Sequence, residues 1–393
     1  METTNTRQAE PKHNVLPAIY FCTVITFCSL YAAQPIQPTF QQEFNLSPFQ
    51  AILFTTLMMA PLGFAPLVYG IILESFSAKR LVRYAILLLG VLELVFCLAD
   101  SYLLLLTIRG LQGMVIPAII TSLVSYISFT STAETVQTAV ARYIAATIMG
   151  GFLGRFLSGL FTDLFGWRFF FCVLGVLLIY GVYLLRNLKQ DANLQYSKPS
   201  IQEALNVLRK PHYFWLYMAI FGVFFVFAGA LNFLPFALKS INPDFNETGI
   251  GIMYSGYVMG ILVSINVRRI IDYFGSESKA VWAGIILYGV GTAGFMFMAF
   301  KAMFIAMFVF CTGMFIAHSI LSGYVNTLSQ GKKGIANGLY ISFYYLGGTI
   351  GSFAPGIIYG CCGWRVFLAA LMLVLCWCLF CVVRLKHSVT SLV

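Results

Sequence analysis

Apolar runs of about 20 residues alternate with short polar segments along this chain, and the alternation recurs twelve times. A helix needs about 20 apolar residues to cross about 30 Å of hydrocarbon, and it satisfies its backbone polar groups internally. The pattern therefore predicts twelve membrane-spanning helices, at about 15–35, 49–73, 82–99, 102–126, 138–161, 168–186, 213–238, 249–267, 280–299, 302–324, 335–359 and 365–384. Ser47-Pro48 supplies an N-cap and a first-turn proline for the second span. Pro61 and Pro66 lie inside that span and predict a kink. The longest polar stretch, about Asn187 to His212, carries Lys189, Lys198, Arg209 and Lys210 and a short amphipathic segment, Ser200–Arg209. It divides the chain into two six-helix halves, 1–186 and 213–393, with a central loop at 187–212.

The halves match. Ala139–Arg168 and Ala336–Arg365 lie 197 positions apart and share eleven residues without a gap, among them Gly150/Gly347, Gly151/Gly348, Gly154/Gly351 and Gly166-Trp167-Arg168/Gly363-Trp364-Arg365. The offset is half of the 393 residues, as a doubled unit requires. The copies differ at Arg155 opposite Ser352, Ser158 opposite Pro355 and Asp163 opposite Gly360.

Composition agrees with a membrane chain: 60% of residues are hydrophobic and 10% charged, against about 25% charged in soluble domains. The net charge of +10 sits at the ends of apolar segments, so nucleic acid is not an expected partner. With the N-terminus inside, eighteen Lys and Arg fall on cytoplasmic segments, and only Arg168, Lys239, Lys301 and Arg365 fall outside. The positive-inside rule then puts both termini in the cytoplasm. The ten cysteines lie mostly within apolar segments and read as small fillers, with no metal site expected. The first apolar segment reads as a retained span, and no phosphate-binding Gly-x-x-x-x-Gly-Lys-Ser/Thr occurs.

Six plus six spans, a central loop and matching halves resemble the major facilitator superfamily. Gly70-Ile-Ile-Leu-Glu74-Ser-Phe-Ser-Ala-Lys79-Arg80 is similar to that family's loop signature after span two, with its first arginine and second glycine replaced. The resemblance implies a conformational latch formed by Gly70, Glu74, Lys79 and Arg80; a solvated turn with topogenic charges is the alternative. Arg109-Gly-Leu-Gln112-Gly113 matches the family's Arg-x-x-Gln-Gly motif. Gly150-Gly151-x-x-Gly154 resembles its antiporter motif without the usual proline. Tyr31-Ala-Ala-Gln34-Pro35-Ile-Gln37-Pro38 and Gly154-Arg155 are similar to a bacterial branch of drug and metabolite effluxers. The resemblance implies an all-α fold of two pseudo-symmetric halves, alternating access, a bacterial inner-membrane location and a monomer.

An ionisable side chain inside a span costs about 2.5–3.5 kcal/mol on insertion scales and marks a candidate functional residue. Four stand out: Glu93, Arg109, Arg155 and His318. Arg109 and Arg155 are candidate substrate-anion ligands, Arg155 alternatively pairing with Glu93 and Arg109 alternatively controlling a proton site or holding spans together. Glu93 and His318 are candidate proton-coupling residues, with a permanent ion pair and hydrogen-bonded packing as their respective alternatives. Tyr31, Gln34, Asn232, Tyr254, Tyr340 and Tyr344, with Tyr345 beside them, are neutral candidates for the substrate site. Two fixed positive charges against one carboxylate in the spans suggest an anionic or carboxylate-bearing small molecule. The expected function is a proton-driven secondary transporter without other cofactor. Export is favoured, and import of a siderophore or organic acid by proton symport is the alternative. A channel is the remote alternative. An enzyme is not expected, because clustered His, Asp or Ser is missing.

Overall fold

The computed structural model of the protein describes residues 15–64, 77–131, 135–188, 201–328 and 333–390. The N half is built from α1 (Leu16–Tyr31), α2 (Gln37–Glu43), α3 (Pro48–Met59), α4 (Ala78–Leu98), α5 (Tyr102–Thr130), α6 (Val136–Phe165) and α7 (Trp167–Leu184). A short α8 (Ile201–Leu208) precedes the C half. That half comprises α9 (Pro211–Ile241), α10 (Glu247–Met253), α11 (Val258–Phe274), α12 (Glu277–Gly294), α13 (Phe300–Leu328), α14 (Lys333–Phe353) and α15 (Gly356–Thr390). Each predicted span is helical over most of its described residues. Nine helices among the described residues are long and apolar enough to cross a membrane, and Leu16–Tyr31 and Pro48–Gly63 are shorter apolar ones.

Local chemistry explains the starts and breaks. The Ser47 hydroxyl accepts from Gln50 N while the Gln50 side chain accepts from Ser47 N, a reciprocal cap that opens α3. At its far end α3 tightens into a 3₁₀ turn, Ala60–Gly63, around Pro61; Pro66 lies outside the described residues. The first span stops at Tyr31 and resumes at Gln37, because Pro35 and Pro38 deprive the helix of donors. The eighth span is interrupted by a 3₁₀ turn, Tyr254–Tyr257. The short amphipathic segment expected in the central loop is α8.

The duplication extends to individual contacts. Tyr20 Oη donates to the Ala139 carbonyl at 3.2 Å, and Tyr217 Oη donates to the Ala336 carbonyl at 3.0 Å, each across 119 residues. A Cβ on Gly154 would lie 2.6 Å from Cys28 Cα, and one on Gly351 would lie 2.5 Å from Phe225 Cα. These glycines therefore set the close approach of α6 to α1 and of α14 to α9. Gly166 and Gly363 both take positive φ, 85° and 76°, where each half reverses direction before its tryptophan.

The halves meet along α6 against α10 and α11, and along α3 against α14 and α15. On the face opposite the chain ends, the Asp163 carboxylate of α6 accepts from Glu247 N at 3.2 Å, Thr248 N at 2.8 Å and the Thr248 hydroxyl. Thr39 Oγ1 also donates to Glu247 at 3.0 Å, and Lys239 pairs with Glu247 at 3.1 Å. This face is fastened. On the other side of the seam a cavity opens toward the face where α1 begins.

Candidate functional site

The cavity, about 440 Å³, is lined from both halves: Phe27 and Tyr31 of α1, Tyr143 and Gly151 of α6, and residues of α9, α11, α13 and α14. Ten of its lining residues are Phe or Tyr, no Asp, Glu, Lys or Arg is among them, and His318 is its one titratable base. The aromatic positions recur at helical spacing, Tyr340 and Tyr344 on α14 and Phe224 and Phe227 on α9, which is how one helix face presents a wall of rings.

Arg155 lies directly behind the inner end of the cavity and is 1% exposed. Its guanidinium carbon sits 3.9 Å from the Tyr31 ring, 4.6 Å from Tyr257 and 5.2 Å from Tyr254. Nη1 donates to the Gly151 carbonyl at 2.6 Å, and Nε donates to Gln34 Oε1. No carboxylate among the described residues lies within ion-pair distance of it. Buried cations are ordinarily paired, so aromatic faces and neutral acceptors hold this one in place without cancelling its charge. Gly151 lines the cavity and has no side chain; a Cβ there would stand 3.4 Å from Arg155 Nη1. The missing side chain is a window between cavity and guanidinium.

From Arg155 a chain of neutral hydrogen bonds crosses the seam. Gln34 Nε2 and Gln37 Nε2 both donate to Asn232 Oδ1, at 3.0 and 2.9 Å. Asn232 Nδ2 donates to the Ser352 carbonyl at 3.0 Å, and the Ser352 and Thr56 hydroxyls are 2.7 Å apart. Gln37 also donates to Thr55 Oγ1 at 2.9 Å. Ser352 is the residue that the duplication sets opposite Arg155. The symmetry-breaking pair is joined through Gln34 and Asn232.

Glu93 belongs to a separate cluster. It is fully buried, accepts from the Ser29 hydroxyl, and lies 3.8 Å from Arg109 Nη1. Arg109 Nη1 also donates to Gln112 Oε1 at 2.9 Å and meets Met58 Sδ at 3.0 Å, and its guanidinium faces the rings of Phe96 and Phe171. Glu93 therefore pairs with Arg109, not with Arg155. Four polar atoms here make no hydrogen bond among the described residues: Glu93 Oε2, Arg109 Nε and Nη2, and Gln112 Nε2. A fully buried ion pair this incompletely satisfied is expensive to keep.

The other candidates divide. Tyr31, Tyr340, Tyr344 and His318 line the cavity, with Tyr340 Oη 3.0 Å from His318 Nδ1. Gln34 and Asn232 lie behind it in the seam. Tyr254 is packed behind Arg155 with its hydroxyl donating to the Leu231 carbonyl at 2.9 Å. Lys79 and Arg80 occupy the first turn of α4, whereas Gly70 and Glu74 lie outside the described residues. Reading the sequence had not singled out Gln37, Thr56, Ser352, Tyr143 or Tyr257 as site residues. Gln37 stands between Pro35 and Pro38, which marks a break in the helix, and Ser352 is the repeat's counterpart of Arg155; the others carry no local signal.

Comparison with known proteins agrees with this architecture. Residues 19–330 match the model of the Major Facilitator Superfamily. The chain is 26% identical to the MFS-type transporter YybF of Bacillus subtilis (strain 168) over 340 residues, 83% of each protein. It is 24% identical to the inner membrane transport protein YnfM of Escherichia coli (strain K12) over 372 residues, covering 91% of this chain and 87% of that one. Among solved structures, the nucleoside transporter NupG superposes with TM-score 0.79 at 12% identity, over 95% of this chain and all of that one. An inward-facing, unoccupied bacterial homolog of the human lysosomal transporter Spinster superposes with TM-score 0.74 at 15% identity, over 97% of this chain and 96% of that one. The duplicated halves, the cavity on their seam and the match over most of its length lead to one conclusion: the chain belongs to the major facilitator superfamily and is a multi-pass membrane transporter, not an enzyme.

Proposed function

We propose that the protein is a proton-coupled secondary transporter that exports a small organic anion by alternating access. The observation that carries this is Arg155, a buried cation without a carboxylate partner among the described residues, one glycine away from the cavity between the halves. An anion arriving at the Gly151 window would supply the missing countercharge. It would also compete with Gln34 for the guanidinium and so bear on the chain of hydrogen bonds that crosses the seam.

Glu93 and Arg109 supply the coupling. Protonation of Glu93 removes the only charge opposite Arg109 within 4 Å among the described residues and leaves a buried cation unpaired, a state the site relieves by rearranging. The proton at Glu93 of α4 and the anion at Arg155 of α6 occupy separate sites of one half, with α1 touching both helices. With the cell interior negative, outward movement of an anion gains about 2.3 kcal/mol per charge per 100 mV, so proton entry and potential act together on export. Both termini are placed in the cytoplasm on the charge distribution, and the cavity then opens to the cytoplasm.

Proteoliposomes with an imposed pH gradient test the reading. Carboxylate counterflow should be abolished in Arg155→Gln and retained in Glu93→Gln, while proton-driven accumulation should be lost in both. Counterflow unchanged by Arg155→Gln would refute the substrate assignment. Accumulation driven by a proton gradient directed with the substrate would reverse the direction to import by symport.

A further inference from the structure

The composition of the cavity narrows the anion further, and this step rests on the reading that the site takes an organic anion at Arg155. Outside the cavity, buried tyrosines have their hydroxyls bonded to backbone: Tyr254 to Leu231, Tyr288 to Val223 and Tyr217 to Ala336. Within it the pattern changes. Tyr340 bonds to the His318 ring and carbonyl, whereas Tyr31, Tyr257, Tyr344 and Tyr345 line the cavity with hydroxyls that make no hydrogen bond among the described residues; Tyr143 Oη is buried and equally unpartnered. A phenol that served only as packing would be replaceable by phenylalanine; Tyr143 Oη is buried without a partner among the described residues and is held at a cost, while the other four hydroxyls reach the cavity. These hydroxyls are donors left available to an acceptor that enters.

The rings around them are arranged to receive another ring. Phe227 and Tyr257 lie 5.5 Å apart at 50°, Tyr257 and Phe315 lie 5.8 Å apart at 76°, and His318 lies 4.8 Å from Tyr344. Tilted and edge-to-face pairs of this kind offer both faces and edges to an aromatic guest. The volume, about 440 Å³, is at the small end of ligand cavities and suits one or two rings, not an extended or macrocyclic compound. Charge sets the remaining limit. No acid lines the cavity, so an organic cation finds ring faces but no countercharge and meets the like charge of Arg155 behind the wall; with that one arginine, a second carboxylate would be buried without a countercharge.

We propose that the transported compound is an aromatic monocarboxylate of one or two rings. Its carboxylate meets Arg155 through the Gly151 window, and its ring lies among Phe227, Tyr257, Phe315 and Tyr344. The Tyr31 and Tyr257 hydroxyls complete the carboxylate's hydrogen bonds. The serines near the opening, Ser264, Ser319 and Ser322, accommodate a polar substituent at the far end of the ring.

Ligand-dependent thermal stabilisation of the purified full-length protein, backed by uptake in proteoliposomes, tests this with a matched panel. The probes are benzoate, 4-hydroxybenzoate and indole-3-acetate; cyclohexanecarboxylate, of the same size without aromaticity; benzylamine, an aromatic cation; and citrate, a polyanion. The aromatic monocarboxylates should stabilise the protein, with cyclohexanecarboxylate at least about tenfold weaker and citrate and benzylamine inert. Tyr257→Leu should bring benzoate down to the level of cyclohexanecarboxylate. Gly151→Ala, whose methyl makes ordinary contact with its neighbours, should weaken all carboxylates at unchanged melting temperature, and it serves where Arg155→Gln does not fold. Equal binding of cyclohexanecarboxylate, or tight binding of citrate, overturns the aromatic monocarboxylate inference and leaves the anion reading standing. Binding of benzylamine with none of the carboxylates, or binding of no carboxylate at all, overturns both.

Discussion

Glycines of one sequence motif do different work here. Gly150 and Gly154 face the backbone of α1, where a Cβ on Gly154 would stand 2.6 Å from Cys28 Cα and oxygen; Gly151 faces the cavity. Gly154→Ala must push two helices apart and should cost about 1–3 kcal/mol, read as a lowered melting temperature, and Gly351→Ala should behave in the same way. Gly151→Ala should melt as the parent does. Glu93→Ala strips the partner from the fully buried Arg109 and should destabilise by about 3–5 kcal/mol, whereas Glu93→Gln keeps a polar neighbour and should cost much less. Equal melting of the two Glu93 variants would mean that the lost charge alone sets the cost and the polar neighbour contributes nothing. At this scale the sequence was informative wherever a charge stood in an apolar run. Glu93, Arg109 and Arg155 are visible as charges, but their pairing depends on which helices are neighbours, and that is a tertiary fact.

Among the elements, the irregular ones carry the site. The first span breaks between Tyr31 and Gln37, and the eighth tightens at Tyr254–Tyr257; both breaks press against Arg155. Mid-helix 3₁₀ geometry commonly marks hinges and functional positions. A continuous apolar run conceals such a break from hydropathy, which is why the first span was read straight through to residue 35. The prolines were the visible clue there, and Tyr254–Tyr257 offered none. At the fastened face, α6 and α10 are joined because Asp163 accepts three hydrogen bonds from the start of α10. The bonds are solvent-exposed, so they are worth about 1 kcal/mol in total after screening. Asp163→Ala should therefore raise amide hydrogen exchange at 155–165 and 244–256 several-fold without unfolding the halves. Unchanged exchange in both segments would show that this face is shut by packing alone.

For the whole molecule, the repeat read in the sequence proved to be a repeat of contacts: the tyrosine-to-carbonyl bond at Tyr20 and Tyr217, the glycine seams at Gly154 and Gly351, and the reversals at Gly166 and Gly363. Hydrophobic runs and an internal repeat are long-range signals carried by many residues, and that made the architecture legible. Asn232 was legible only as a polar residue in a span. Its bonds to Gln34 and Gln37, across 198 and 195 positions, exist because two halves are pressed together. If each half holds its own helix packing, residues 1–186 and 213–393 produced as separate chains should co-purify and restore transport together, and neither should transport alone. Failure of the pair to associate would assign the seam's stability to the covalent link.

The amide chain that starts at Arg155 has a consequence for pharmacology. Gln34 shares the guanidinium with whatever arrives at the window, and its other end helps to close the far side of the seam. Cargo that drew Arg155 away from Gln34 only weakly would be released quickly and carried. A compound that gripped it too firmly would trap one conformation and stall turnover. The most avid ligands of this site should accordingly be poor passengers and good blockers, and affinity and flux should rank compounds in opposite orders at the upper end of the series.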